Sequence, residues 1–228
     1  SNVGAKIDNE DARQYQMGFN GNLAQDLGEC MRFACDNLVE RTVFFGDDAV
    51  GFKGFMNFPG VTTSTAVSGA AGDTVWSKKT AAEMVKDIND GLAAVWTNSR
   101  GVFLPNTVFL PLEQFNLLAT TPYTLGASAA VFQSALDYVK KYNIYTNQRG
   151  KELEIIPIRY LKNANVSGDK GRMILQDRSK RNQALPFPMG YTLQAPVPVP
   201  LGAEFYSEQK HGSYVIRQPL STLYVDGI

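Results

Sequence analysis

Residues 44–61 read FFGDDAVGFKGFMNFPGV. Within them stand four glycines (Gly46, Gly51, Gly54, Gly60), two adjacent carboxylates (Asp47, Asp48) and one lysine (Lys53). The stretch admits three readings: a phosphate cradle, a carboxylate pair for a metal ion, or a chain changing direction after a long helix. A phosphate loop requires G-x-x-x-x-G followed at once by Lys and Ser or Thr, after a strand and before a helix. Here Gly46 and Gly51 are followed by Phe52, Lys53 and Gly54, so the hydroxyl that would hold magnesium is missing. The preceding element reads as a helix, and FMNFPGV cannot start one. A hard cation needs six or more oxygens from several positions. Adjacent aspartates point apart, and the next carboxylate is Asp73. The expectation is a turn that ends a helix, with solvated aspartates.

That helix is expected over about residues 22–44. Leu23, Leu27, Cys30, Met31, Ala34, Leu38 and Phe45 recur at spacings of three and four, giving an apolar stripe. Asn22 suits the N-cap with Gln25 three positions on, Arg32 and Asp36 form an i,i+4 pair, and Gly46 suits the stop. A second helix begins near Thr80, which forms a capping-box pair with Glu83 and is followed by Val85, Ile88, Leu92 and Val95 on one face. NTVFLP reads as a buried strand, LEQFNLLAT as a short helix, and about 128–142 as a third helix carrying Val131, Phe132, Ala135, Leu136 and Val139. LEIIPIRYL and GRMILQD read as strands. From Pro186 the chain is proline-dense and must be extended, and APVPVP reads as an ordered connector between two domains. His211-Gly212 reads as a hairpin turn. The order gives an α+β fold.

The chain has 228 residues, 44% hydrophobic and 19% charged, with a net charge of +0 from 22 basic and 22 acidic side chains. Such a chain folds around a sizeable core, and the missing basic excess argues against a dedicated nucleic-acid binder. No apolar run reaches the roughly 20 residues of a membrane span. The start lacks an initiator methionine and a signal architecture, so upstream processing is expected. Cys30 and Cys35, five apart on one helix, suit buried thiols better than a disulfide. The one histidine, His211, reads as a turn residue, since a nucleophilic pair would need it set against a third, orienting group, and two cysteines with one histidine cannot fill a structural zinc site. The cluster Lys170, Arg172, Arg178, Lys180 and Arg181 is diluted by Asp169 and Asp177. It reads as a solvated strand edge or a salt-bridging contact with a neighbouring subunit. No catalytic residue, cofactor or metal site is expected, and the chain reads as no enzyme.

Three segments make the chain resemble the major capsid proteins of tailed phages with the Hong Kong phage capsid fold. More narrowly, it is similar to a prophage-associated branch formerly catalogued as a domain of unknown function. The first segment is the long helix ending in Gly46-Asp47, then Gly51, Gly54 and Asn57; the second is TVFLPLEQFNLLAT followed by LEIIPIRYL. The third is HGSYVIRQPLSTLYVDGI, with Arg217, Pro219, Tyr224, Asp226 and Gly227. Their order and spacing span about residues 10–228, and no single motif is diagnostic.

The resemblance implies a peripheral domain (1–60 and 203–228, with the spine helix at about 22–45 and the C-terminal strands) and an axial domain (61–202). It implies a structural subunit that self-assembles through hexamers and pentamers into an icosahedral shell around a double-stranded DNA genome. Scaffold, portal and cement proteins are further partners, DNA is touched only non-specifically, and no membrane is involved. Residence would be the virion, and the bacterial host cytoplasm during assembly. The family's N-terminal arm and extended hairpin loop are expected to be missing, because only about 21 residues precede the helix. No cross-linking residue can then be assigned. Two alternatives stay open: an encapsulin-type nanocompartment shell, and a nucleotide-binding enzyme using the Gly46–Lys53 loop.

Overall fold

The computed structural model describes residues 2–19, 23–124, 133–165 and 167–228. The chain forms two compact units, Ser1–Asn57 with Ala184–Val215, and Phe58–Gln183 with Ile216–Ile228. These boundaries differ from 1–60 with 203–228 and 61–202. Residues 184–202 belong to the first unit because strands there pair with Gly202–Lys210. Residues 216–228 belong to the second because Thr222–Asp226 lies inside its sheet.

In the first unit, Gly202–Lys210 is the central strand. Asn2–Asp8 pairs with it antiparallel, from Asn2↔Glu208 to Asp8↔Gly202. Met189–Leu193 and Val197–Val199 pair with it as well, also antiparallel. Alternate residues Ile7 and Phe205 point to one face, where they meet Met31 of the long helix. Within APVPVP, Val197–Val199 is therefore an edge strand of this unit, where a proline costs no ladder hydrogen bond, and the segment is not a connector between the units. No hairpin forms at His211-Gly212, because the following strand Val215–Ile216 belongs to another sheet.

A helix Asn9–Phe19 follows the first strand, and the long helix runs Leu23–Phe45. Tyr15 of the former donates its hydroxyl to Asp26 of the latter. The predicted cap Asn22 lies outside the described residues. The buried side of the long helix is narrower than its apolar stripe: Met31, Cys35 and Thr42 are buried, while Leu38 and Phe45 are exposed. Cys30 is exposed and only Cys35 is buried, so the pair of buried thiols is half right, and both are free.

The second unit is built on a five-stranded sheet in the order Thr62–Thr65, Thr222–Asp226, Arg172–Gln176, Thr107–Leu110, Glu154–Pro157. The two outermost pairings are parallel and the two inner ones antiparallel. The helix Ala81–Asn98 starts at a complete capping box, with Thr80 and Glu83 each holding the other's backbone N–H. Its residues Met84, Ile88, Leu92 and Val95 pack on Val108, Leu110, Met173, Leu175, Leu223 and Val225. Each large aliphatic side chain so buried contributes roughly 1.5–3 kcal/mol. The strand at 107–110 and the helix Leu112–Thr120 follow the sequence reading. Glu154–Pro157 is a strand, but IRYL turns into a 3-10 segment at Arg159–Leu161. The third helix begins at Ala135 behind a Ser134 cap, and Val131 and Phe132 lie outside the described residues.

Ahead of Ala81–Asn98 lies a buried ion pair: Lys79 Nζ is 2.5 Å from Asp87 Oδ2 and donates also to Val67 O at 2.6 Å. Trp76 Nε1 donates to the same carboxylate at 2.9 Å. Burial pushes the Asp87 carboxyl up from its ordinary value, and the Lys79 and Trp76 donors pull it back. Nearby, Asp73 accepts from Lys78 Nζ (2.6 Å) and from the Thr74 and Val75 N–H groups. These donors, Lys78 first, hold the Asp73 carboxyl down to about 2. A depressed folded pKa stabilises above the ordinary carboxylate value of ~3.9 and is lost as pH falls toward the folded one. A carboxyl-resolved NMR titration should show Asp73 protonating near pH 2. The variant Lys78→Met should raise that midpoint toward its ordinary value.

Candidate functional site

The loop leaving the long helix is made by its own backbone. A helix leaves its last carbonyls without intrahelical donors. Here Phe55 N–H donates to Val43 O (2.7 Å), Met56 N–H to Phe44 O (3.2 Å) and Asn57 Nδ2 to Phe45 O (3.3 Å). Residues 55–57 thus return to cap the helix they left twelve residues earlier. Asn57 Oδ1 accepts from Gly54 N–H at 2.8 Å, fixing both amide atoms. Between the two ends, Gly46–Asp47 pairs antiparallel with Phe52–Lys53. Gly46 has φ +83, and Gly54 lies so close to the helix end that a Cβ there would be 2.2 Å from Phe44 O. Phe55 and Met56 are buried, with Phe55 edge-on to Phe44 and Tyr214.

The acidic pair does two separate local jobs. Asp47 caps the 3-10 turn Asp48–Val50, its Oδ1 accepting from Ala49 N–H at 3.0 Å. Asp48 faces Lys53 Nζ at 3.1 Å in an exposed ion pair. Gly51 ends that turn in the left-handed region at φ +71. Among the described residues no group of three His, Cys, Asp or Glu could hold a metal ion, and no helix is long and apolar enough to cross a membrane. Exposed ion pairs are worth about 0–1 kcal/mol. Lys53→Ala should therefore leave the melting temperature nearly unchanged in thermal denaturation. Gly51→Ala should cost about 1–2 kcal/mol, since a Cβ meets open space but the left-handed backbone opposes it. Gly51→Asn should recover most of that cost.

The second group lies in the other unit. Asp226 Oδ1 and Oδ2 accept from Arg172 Nε (2.6 Å) and Nη2 (2.8 Å), and the guanidinium sits 4.8 Å from the Tyr224 ring centre. Tyr224 is buried, and its hydroxyl accepts from Phe58 N–H at 3.3 Å. Gly227 has φ +91 and donates to Gly171 O at 3.0 Å. Pro219 opens the 3-10 turn Pro219–Ser221, and the exposed Arg217 donates its backbone N–H to Asn182 O at 2.7 Å. So the structure joins Tyr224 and Asp226 through Arg172, and leaves Arg217 and Pro219 apart from them. Arg172 is no member of a solvated strand edge: its strand is interior, and the charge is neutralised where it is buried. Its role was hidden in the sequence because its partner lies 54 residues on. Lys79 and Asp87, eight apart, gave no signal either.

Both groups act as supports: the side-chain hydrogen bonds named in them go to backbone or to a paired charge. Comparison with known proteins gives the framework. No curated protein sequence matches the chain. The whole chain superposes on a subunit of the capsid of the Myoviridae phage XM1, with 13% identity, a TM-score of 0.79 and 72% of that chain covered. A virus-like particle from Pyrococcus furiosus matches over 98% of this chain and 75% of that one, at 12% identity and TM-score 0.58. The SrpI encapsulin of Synechococcus elongatus matches over 100% and 73%, again at 12% and 0.58. These likenesses establish the fold. The family model described as major capsid protein matches residues 1–228, and the chain therefore belongs to the major capsid protein family.

Proposed function

We propose that copies of this chain close, as hexamers and pentamers, into the icosahedral shell of a phage or prophage particle around double-stranded DNA, without catalysing a reaction. The observation that carries this reading is the family match over residues 1–228. In this reading the unit with the long helix is peripheral and the unit with the five-stranded sheet is axial. The loop Gly46–Asn57 sets the direction in which the chain leaves the helix, and Arg172–Asp226 fixes the strand that completes the sheet. Scaffold, portal and cement proteins are the further partners, and contact with the genome is non-specific. The subunit passes through the host cytoplasm before it resides in the virion. Exposed apolar side chains on the long helix (Phe33, Leu38, Phe45) supply surface for the many contacts of a shell.

Negative-stain and cryo-electron microscopy of the expressed protein, alone or with its scaffold, should show closed shells. Monomers under every condition of concentration and salt would overturn the reading. A compartment of encapsulin type is the second reading, favoured by the SrpI likeness. The lower TM-score, 0.58 against 0.79 for the phage subunit, makes it the weaker one. An enzyme cargo gene beside this one would favour the compartment, and terminase and portal genes the phage. ATP or GTP binding abolished by Lys53→Ala would instead reinstate the nucleotide loop.

A further inference from the structure

The neutral chain is not neutral in its parts. The first unit carries 11 acidic and 6 basic residues, and the second 11 acidic and 16 basic, so that net charges of −5 and +5 cancel. The surplus in the second unit is concentrated at one end of its sheet. Arg178 N–H donates to Asn106 Oδ1 (2.9 Å), Glu154 N–H to Asn106 O (3.1 Å), and Leu153 N–H to Lys140 O (3.3 Å). These bonds gather the start of one strand, the end of another and the end of the helix Ala135–Lys141. Arg149 and Arg181 both act on the half-buried Asp177 carboxylate. Glu154 is engaged by Arg178 at 3.4 Å. Lys141, Arg149, Lys151, Lys180 and Arg181 are exposed there, facing one further exposed carboxylate, Glu152. Beside them Tyr142 is 56% exposed.

The first unit has a surface of opposite character. On the long helix, Glu29, Asp36 and Glu40 recur at intervals of seven and four, which brings them to one side, where the single exposed guanidinium of Arg32 lies 3.8 Å from Asp36 and leaves the carboxylates in excess. Phe33, 70% exposed, stands among them. Acidic groups around an exposed aromatic match basic groups around an exposed aromatic, in charge and in the residue type that anchors interfaces.

We propose that the basic end of the second unit docks on the acidic side of the long helix, Glu29–Phe33–Asp36, of a second copy of this chain. The proposal rests on the shell reading above. The cancellation of charge favours a copy of the chain over nucleic acid: a lining for DNA would leave the whole chain with an uncompensated positive charge, and here the surplus of one unit equals the deficit of the other. A heterologous contact of this kind, one patch against a different patch, propagates from copy to copy and closes a ring when its rotation divides the circle.

Charge exchange in the full chain tests it. Lys151→Glu/Lys180→Glu/Arg181→Glu reverses one side and Glu29→Lys/Asp36→Lys the other, all at exposed positions, so circular dichroism should report unchanged folding. At about 0.1 M salt, where the Debye length is ~10 Å, each set alone should lower the yield of shells in electron microscopy about tenfold or more. The two sets combined should restore assembly. Shells from the unmodified protein establish the shell reading by themselves, and their absence would sink that reading and this proposal with it. Normal shells from either reversed set, or none from the combined one, would overturn the docking proposal alone. So would a basic-end reversal that spares assembly and abolishes binding of a labelled DNA duplex, which would assign the patch to nucleic acid.

Discussion

Gly54→Val is expected to give protein that is recovered insoluble, with no cooperative unfolding transition. An added Cβ at this position would lie 2.2 Å from Phe44 O, 2.5 Å from Phe45 C and 2.6 Å from Gly46 N. All three are backbone atoms of the helix end, and none can swing aside as a side-chain tip does. Relief requires residues 54–57 to move off the helix. That breaks the bonds from Phe55 and Met56 to Val43 and Phe44, and the one from Asn57 Nδ2 to Phe45 O. Each buried donor or acceptor left unmade costs about 1–3 kcal/mol, and Phe55 and Met56 would lose their packing as well. The total exceeds the ~4–5 kcal/mol that marks an exceptional single substitution. Gly51→Ala, six positions beyond the same helix end with open space around it, serves as the control. A soluble Gly54→Val chain with a near-normal melting temperature would show that the loop does not hold the helix end.

Asp226→Ala is the second large effect. It strands the Arg172 guanidinium in a setting where both side chains are almost fully buried. Removing one partner of a buried pair costs about 3–5 kcal/mol, mostly because the survivor's charge is left uncompensated. For a chain of this size that corresponds to a fall of roughly 6–20 °C in melting temperature. Replacing both partners, Arg172→Met with Asp226→Leu, should recover most of the loss, as apolar packing replaces two desolvated charges. A double variant as unstable as Asp226→Ala would mean that the fork to Asp226 and the contact with Tyr224 specify the strand register directly.

What could be read in the sequence were features decided within a few residues. The Thr80–Glu83 capping box, the apolar periodicity of Ala81–Asn98 and the length of the helix before Gly46 are of this kind. So was the turn that ends the long helix at Gly46, which needed only spacing and context. Features that depend on remote partners could not be read. The strand Asn2–Asp8 has no strong pattern, and it is defined by a partner some 200 residues away. The burial of Arg172 depends on Asp226, and the inclusion of VPV in a sheet depends on Gly202–Lys210. The long helix failed in another way: its stripe is genuine, but much of it faces outward from a single copy. Periodicity reports that a face will be covered and cannot report whether the cover is the same chain.

The chain enters the first unit, leaves it at Asn57, returns at Ala184, and leaves again at Val215. This path has a consequence for synthesis. At about 5–20 residues per second, the strand Asn2–Asp8 emerges from a ribosome some 10–40 s before Gly202–Lys210 exists to pair with it. The sheet of the second unit waits longer still, because Thr222–Asp226 lies between Thr62–Thr65 and Arg172–Gln176. Neither unit can mature before its late strand, Gly202–Lys210 or Thr222–Asp226, has been made. A stalled or truncated product has no finished surface to offer, so only chains that have been translated through their last sheet strand become competent building blocks.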